Sequence, residues 1–311
     1  MSEISGIPPP DTDPSKAIPI AVPIPHPRPA RLPSSVRNIQ AWLPLYLSKT
    51  DKSLTRLSDI LSTPSGTDTL LLTVCYTSLL TSSILSSISL SRIRQQARAV
   101  IEKAISLPPD TTLYISTSNI RPSRLLIISA RLNALSELIS DFRLFARLWG
   151  LLGIYSWGKG VWNQDGGDQV VRGIAGVQVL SNIAFQYLEN MAYLSSKGVW
   201  DWSSDKQNKA WAWSSRFWAL HVLLDFVRLV RERSVQRKVV RFKGREKEDQ
   251  REEEEFWARW RRELVLNMAY APLTIHWGLE KGLLTEFWIG VFGSVAGLTG
   301  LREMWMKSGL S

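Results

Sequence analysis

The stretch that most limits what this chain can fold into is Leu125, Ile128, Leu132, Leu135, Ile139, Phe142, Ala146 and Trp149, spaced alternately three and four residues apart. A strand repeats every two residues and cannot carry that pattern. It is a heptad seam, which packs against another helix within the chain or between copies. Leu138, Phe145, Leu148 and Leu152 widen the seam, and Arg124, Arg131, Arg143 and Arg147 flank it.

Helical spacing recurs along the rest of the chain. Val36, Ile39, Trp42, Leu43, Tyr46 and Leu47 form one face, with Pro44 set to kink it. After the break at Pro64-Ser65-Gly66, TDTLLLTVCYTSLLTSSILSSIS reads as a longer helix, apolar yet rich in Ser and Thr. Tight helix packing or partial membrane contact both suit that composition. The next segment places Ile93, Ala97, Val100, Ile101, Ala104 and Ile105 on one face, with Arg92, Arg94, Arg98 and Lys103 opposite. A basic amphipathic helix of this kind lies in a membrane interface or covers a core, and periodicity alone favours the core.

Three further segments bear on membranes. WGLLGIYSWGKGVW is apolar but too short to span, and reads as an interfacial turn. Val170 to Leu194 could cross only with Arg172, Gln178, Asn182, Gln186, Glu189 and Asn190 turned toward other helices; burial beside the membrane suits it equally. The best expected span is Gly282 to Leu301, GLLTEFWIGVFGSVAGLTGL, whose single charge is Glu286. Gly290, Gly293, Ser294 and Gly297 give it a stripe of small residues for close helix approach.

The formal net charge of +10 points to nucleic acid or an anionic membrane surface. The chain's 14 Trp, scattered among short apolar stretches and arginines, favour the membrane interface. The basic residues form no recognisable nucleic-acid reader, so no nucleic-acid partner is expected. The single Cys75 excludes a disulfide within the chain and a Cys-based zinc site, and the three histidines lack metal-ligand spacing. There is no phosphate-binding Gly loop, nucleophile elbow or HExxH, so no catalytic residue, cofactor or metal is expected and the chain does not read as an enzyme. His221 and Asp225, one helical turn apart, read as a satisfied interior pair, and Asp165-Gly166-Gly167-Asp168 as an ordinary connector.

The expected organisation is therefore all-α: a membrane-associated helical bundle with amphipathic helices and a C-terminal transmembrane helix. Residues 1–33 form a Pro-rich disordered arm without the apolar core of a secretory signal. Residues 34–160 hold the N-terminal helical region, 161–230 membrane-proximal helices, 231–255 a charged insert, and 256–311 the C-terminal helices with the span at 282–301.

Five blocks in order carry a resemblance. GTDTLLLTVCYTSLL, RLNALSELISDFRLFARLWGLLGIYSWG, GVQVLSNIAFQYLENMAYLSSKGV, WSSRFWALHVLLDFVRLVRE and ELVLNMAYAPLTIHWGLEKGLLTEFWIGVFGSVAGLTGL resemble the peroxin-eleven family of peroxisome-elongation membrane proteins, in a divergent fungal-type branch. The Pro-rich arm and the charged insert lie outside the likeness. The resemblance implies a peroxisomal membrane protein that elongates the membrane before division, binds anionic lipids, self-associates and engages dynamin-type fission machinery. It implies that the helix from Ser91 to Ile105 inserts into the outer leaflet, reversing the preference for a core-facing helix. A small-metabolite pore lined by Gln178, Asn182, Gln186 and Glu189, and a tether built on the heptad seam and Pro-rich arm, are the rival readings.

Overall fold

The computed structural model describes residues 34–108, 123–163, 166, 168–242 and 247–308. The expected arm at 1–33 lies outside them. Among the described residues all regular structure is helical: α1 (Ser34–Leu61), α2 (Pro64–Ile105), α3 (Arg124–Ala146), a 3-10 turn (Arg147–Trp149), α4 (Gly150–Trp162), α5 (Gln169–Ser196), α6 (Ser204–Phe242), α7 (Lys247–Gly278) and α8 (Glu286–Lys307). The chain forms two units, the first ending at Lys52 within α1 and the second comprising residues 53–311. All that follows concerns the second.

Local signals set the helix ends. The Thr63 hydroxyl accepts from the Gly66 N–H and caps α2, with Pro64 at the first helical position. Ser123 caps α3 and Asp168 caps α5, each accepting from the N–H two residues on. Gly198, at φ 74°, ends α5 in the left-handed region that glycine adopts without penalty. The expected interfacial turn is instead the helix α4. The charged insert divides between the end of α6 and the start of α7.

Each helix packs on the next around a circuit: α3 on α2, α2 on α8, α8 on α7, α7 on α6, α6 on α5, and α5 on α4. The 3-10 turn after α3 touches α5 and closes the circuit. Where α2, α7 and α8 meet, Leu72, Ala269 and Ala296 are buried together beneath Tyr76, Leu266 and Tyr270.

α2 lies between α3 and α8, and small residues form both contacts. On the α8 side, a Cβ on Gly290 would stand 2.8 Å from the Leu80 backbone, one on Gly293 would enter the Tyr76 ring, and one on Gly297 would stand 2.8 Å from Thr73 Cα. The glycine stripe thus follows one antiparallel line of α2, and Gly290, Gly293, Ser294 and Gly297 are all buried there. On the α3 side, Ser82 Oγ donates to the Ser129 carbonyl at 2.8 Å, and Ser129 Oγ returns a bond to the Ser82 carbonyl at 2.9 Å. One heptad along, Cys75 Sγ lies 3.4 Å from Ser136 O. One heptad further, Arg143 clasps Asp68 through Nε (2.8 Å) and Nη2 (3.2 Å).

The C-terminal segment differs from the expected span. Gly282 to Thr285 precede the helix, the Leu284 N–H being held by His276 Nδ1 at 2.9 Å. α8 then runs beyond Leu301 through Arg302, Glu303 and Lys307, and Glu303 pairs with Arg262 at 2.9 Å. Those charges dilute its apolar stretch. Among the described residues the one helix long and apolar enough to cross a membrane is α2. The small-residue stripe of the expected span serves to pack α8 against it.

Gly297→Leu should force α2 and α8 apart and lower stability by roughly 1–3 kcal/mol or more, the usual cost of overpacking a closed contact. Gly173→Ala, in a helix where a Cβ meets nothing within 4 Å, should leave stability equal or higher. Thermal unfolding of the purified protein in mild detergent, followed by circular dichroism, checks both; equal midpoints for Gly297→Leu and the parent chain would contradict the packing.

Candidate functional site

The segment from Arg92 to Ile105 is the continuous second half of α2, and every residue from Leu90 to Ser106 is exposed. Ile93, Val100, Ile101 and Ile105 stand in the open, Ile105 at 79% and Ile101 at 57%. Ala97 and Ala104 complete that face, while Arg92, Arg94, Arg98 and Lys103 supply the basic residues around it. A core-facing helix would bury its apolar stripe; among the described residues nothing covers this one.

The seam on α3 divides by side. Leu125, Leu132 and Ile139 are half-buried, flanking the contact with α2. Ile128, Leu135, Phe142 and Trp149 point outward, Phe142 at 52% and Trp149 at 58% exposed. The residues that enter the α2 contact are Ser129, Ser136 and Arg143. They repeat every seven residues, as do Asp68, Cys75 and Ser82 opposite them. That second heptad, small and polar, was available in the sequence and marks the packed face. The seam of large apolar residues marks its margin and the outer surface.

The same inversion holds for α5. Gln178, Gln186 and Glu189 are buried, whereas Leu180 and Tyr187 are exposed. Gln178 Nε2 donates to Asp225 Oδ1 at 2.9 Å, Ser181 Oγ to the Phe217 carbonyl at 2.7 Å, and Gln186 Nε2 to Asn190 Oδ1 at 2.7 Å. Glu189 pairs with Arg147 at 3.3 Å, and Asn190 Nδ2 donates to the Leu148 carbonyl at 3.1 Å. These bonds hold the 3-10 turn against α5. Soluble proteins bury large apolar side chains and expose charge and amide groups. Here the buried set is dominated by Ser, Gln, Thr and small residues, and broad apolar faces lie outside.

Ion pairs tie the helix ends. Asp141, on α3, accepts a 2.6 Å bond from Lys197, which holds that ammonium above its ordinary pKa. Arg231, on α6, binds Asp168 at 2.7 Å and, with the Val170 N–H, keeps that carboxyl below the usual range. Asp168 thus serves as cap and ion-pair partner, while Asp165 lies outside the described residues.

His221 and Asp225 form the expected interior pair. Their ring and carboxylate stand 3.6 Å apart, His221 Nδ1 lies 2.8 Å from Asn182 Nδ2, and Arg228 holds Asp225 at 2.9 Å. The ring nitrogen turned away from Asp225, where a catalytic dyad would need a nucleophile, meets Asn182 instead. No group of three metal-ligating side chains occurs among the described residues.

An all-helical protein with one helix long and apolar enough to cross a membrane, small residues at its helix contacts and apolar residues outside fits the class of membrane-associated helical proteins. Residues 126–305, more than half of the chain, match the family described as peroxisomal biogenesis factor 11 (PEX11), and the chain belongs to that family. By that description the family is one of peroxisomal biogenesis factors. It is also 32% identical over 124 residues to an uncharacterized protein of Schizosaccharomyces pombe, a match covering 40% of this chain and 54% of that relative. That fungal likeness agrees with the divergent branch the sequence resembles. No solved structure matches the chain.

The Arg143–Asp68 clasp closes the small-residue line between α3 and α2. Arg143→Met and Asp68→Asn should each destabilise, and a double-mutant cycle by denaturant unfolding should return a coupling of roughly 1–2 kcal/mol. Strict additivity would mean the clasp contributes nothing.

Proposed function

We propose that this chain is a peroxisomal membrane protein that elongates the membrane and promotes division by inserting the exposed half of α2 into the outer leaflet. The observation that carries this reading is the uncovered run from Leu90 to Ser106. Its apolar stripe wedges into the headgroup region without filling the tail region beneath, which favours positive curvature. Arg92, Arg94, Arg98 and Lys103 add attraction to anionic headgroups, about 1 kcal/mol for each basic residue at the surface.

The length of α2 sets a mechanical condition. Its 42 residues extend about 60 Å, twice the ~30 Å hydrocarbon core of a bilayer. If the first half crosses, the second must bend away to lie in the interface. Ser86, Ser87, Ser89 and Ser91 stand at that junction. Serines bonding back to the preceding turn bend helices, and Ser91 Oγ does bond the Ile88 carbonyl, at 2.8 Å.

Self-association and recruitment of dynamin-type fission machinery complete the proposal and rest on the family likeness. The pore reading loses its motive, because Gln178, Gln186 and Glu189 are engaged within the chain. Lipid contact is the role assigned here to the outward side of α3.

Full-length protein reconstituted into anionic liposomes should draw them into tubules visible by negative-stain electron microscopy. Ile93→Ser, Val100→Ser and Ile101→Ser together should abolish tubulation while leaving membrane incorporation and helix content unchanged. Undiminished tubulation by the triple variant would sink the wedge mechanism.

A further inference from the structure

The circuit of helices encloses a cavity of about 560 Å³, bounded by α2, α3, the 3-10 turn, α5, α6 and α7. That volume lies in the range of small-molecule sites, about 300–1,000 Å³. Its wall has two kinds of surface. At one end stand Arg143 and Arg147. Arg143 is held by Asp68 through Nε and Nη2. Arg147 pairs with Glu189 through Nη2 at 3.3 Å, and its Nε is buried without a hydrogen-bond partner. A buried guanidinium N–H left unpaired costs free energy, and a ligand oxygen would recover it.

The other surface is aromatic. Trp218 stacks on Trp277 with ring centroids 5.8 Å apart and packs against Tyr270 at 5.5 Å. Phe185 flanks Trp218 from α5, at 5.8 Å. Among the described residues the hydroxyls of Tyr76 and Tyr270 and the indole N–H groups of Trp218 and Trp277 have no hydrogen-bond partner. The indole N–H groups can only donate and the tyrosine hydroxyls donate or accept, while both carboxylates are held by arginines. Donors beside a guanidinium select an acceptor-rich, anionic head, and the aromatic wall selects an apolar body.

We propose that this cavity is a binding site for an anionic amphiphile with a single apolar chain, its head on Arg147 and its tail along Trp218 and Trp277. The head chemistry is that of a carboxylate or a phosphate monoester, both of which accept the guanidinium's paired N–H groups. The site is separate from the exposed half of α2, so its occupancy and membrane tubulation are independently measurable.

The test uses full-length protein in nanodiscs of uncharged phosphatidylcholine, with tryptophan quenching by ω-bromoundecanoate, ω-bromoundecyl phosphate and ω-bromoundecanol. All three partition into lipid; a head-specific site adds a saturable phase for the anions. Saturable quenching by at least one anion, about tenfold or more tighter than by the alcohol, is expected. The tighter of the two anions identifies the source as a free carboxylate or a phosphate-headed lipid. Arg147→Met should erase the anion's advantage, and Arg147→Lys should restore part of it. Equal quenching by alcohol and anions in the unmodified chain overturns the proposal without reference to any variant's folding. So does full anion affinity in Arg147→Met.

Discussion

The structure depends on how closely α2 can be approached from two sides. Glycines of α8 lie against its backbone along one line, and the Ser82–Ser129, Cys75–Ser136 and Asp68–Arg143 pairs lie along another. The small residues of α8 let Leu72, Tyr76 and Leu80 of α2 seat close against its backbone, and between α2 and α3 short side chains hydrogen-bond across the contact. Among the described residues the largest fully buried side chains are Leu229 and Leu273, followed by Thr274, Ser89 and Ser214. Many other large apolar residues are turned outward.

That inversion joins the fold to the function. In water, exposed stripes such as Ile128–Leu135–Phe142 would drive aggregation. In lipid there is no hydrophobic penalty for them, and the interior needs only satisfied polar groups and close packing. Under the proposed function, the basic, half-apolar end of α2 lies at the border between the two media, where arginines meet headgroups and isoleucines meet acyl chains. The aromatic cavity is a place where packing is incomplete. It lies where the circuit of helices is too wide for the side chains around it to meet.

Much of this was legible in the sequence. Helical period, the position of α3, the stripe at Gly290–Gly297 and the amphipathic pattern at Ile93–Ile105 are all local, and local spacing reports them. The facing of α3 was not. A hydrophobic seam names the inside when the solvent is water, and α3 packs through Ser129, Ser136 and Arg143 instead. Reading that face required comparing two heptads, Asp68–Cys75–Ser82 with Ser129–Ser136–Arg143, because each is unremarked alone. The C-terminal segment misled for a related reason: glycines and apolar residues mark a helix meant for close packing as much as one meant to span. The continuity of α2 through Ser86–Ser91 was also hidden, since serine-rich junctions suit a helix interior or a break. The cavity, built from six elements distant in sequence, leaves no local signal.

The central claim is that the outward apolar side of α3 faces lipid while its serine side faces α2. Single cysteines at Leu135 and Phe142, in a Cys75→Ser background and labelled with bimane, would test it in reconstituted vesicles. The account predicts strong quenching by spin-labelled lipid and near-complete protection from aqueous iodide at both positions. Iodide quenching equal to that of free dye, with no response to spin-labelled lipid, would place this face in water and contradict it.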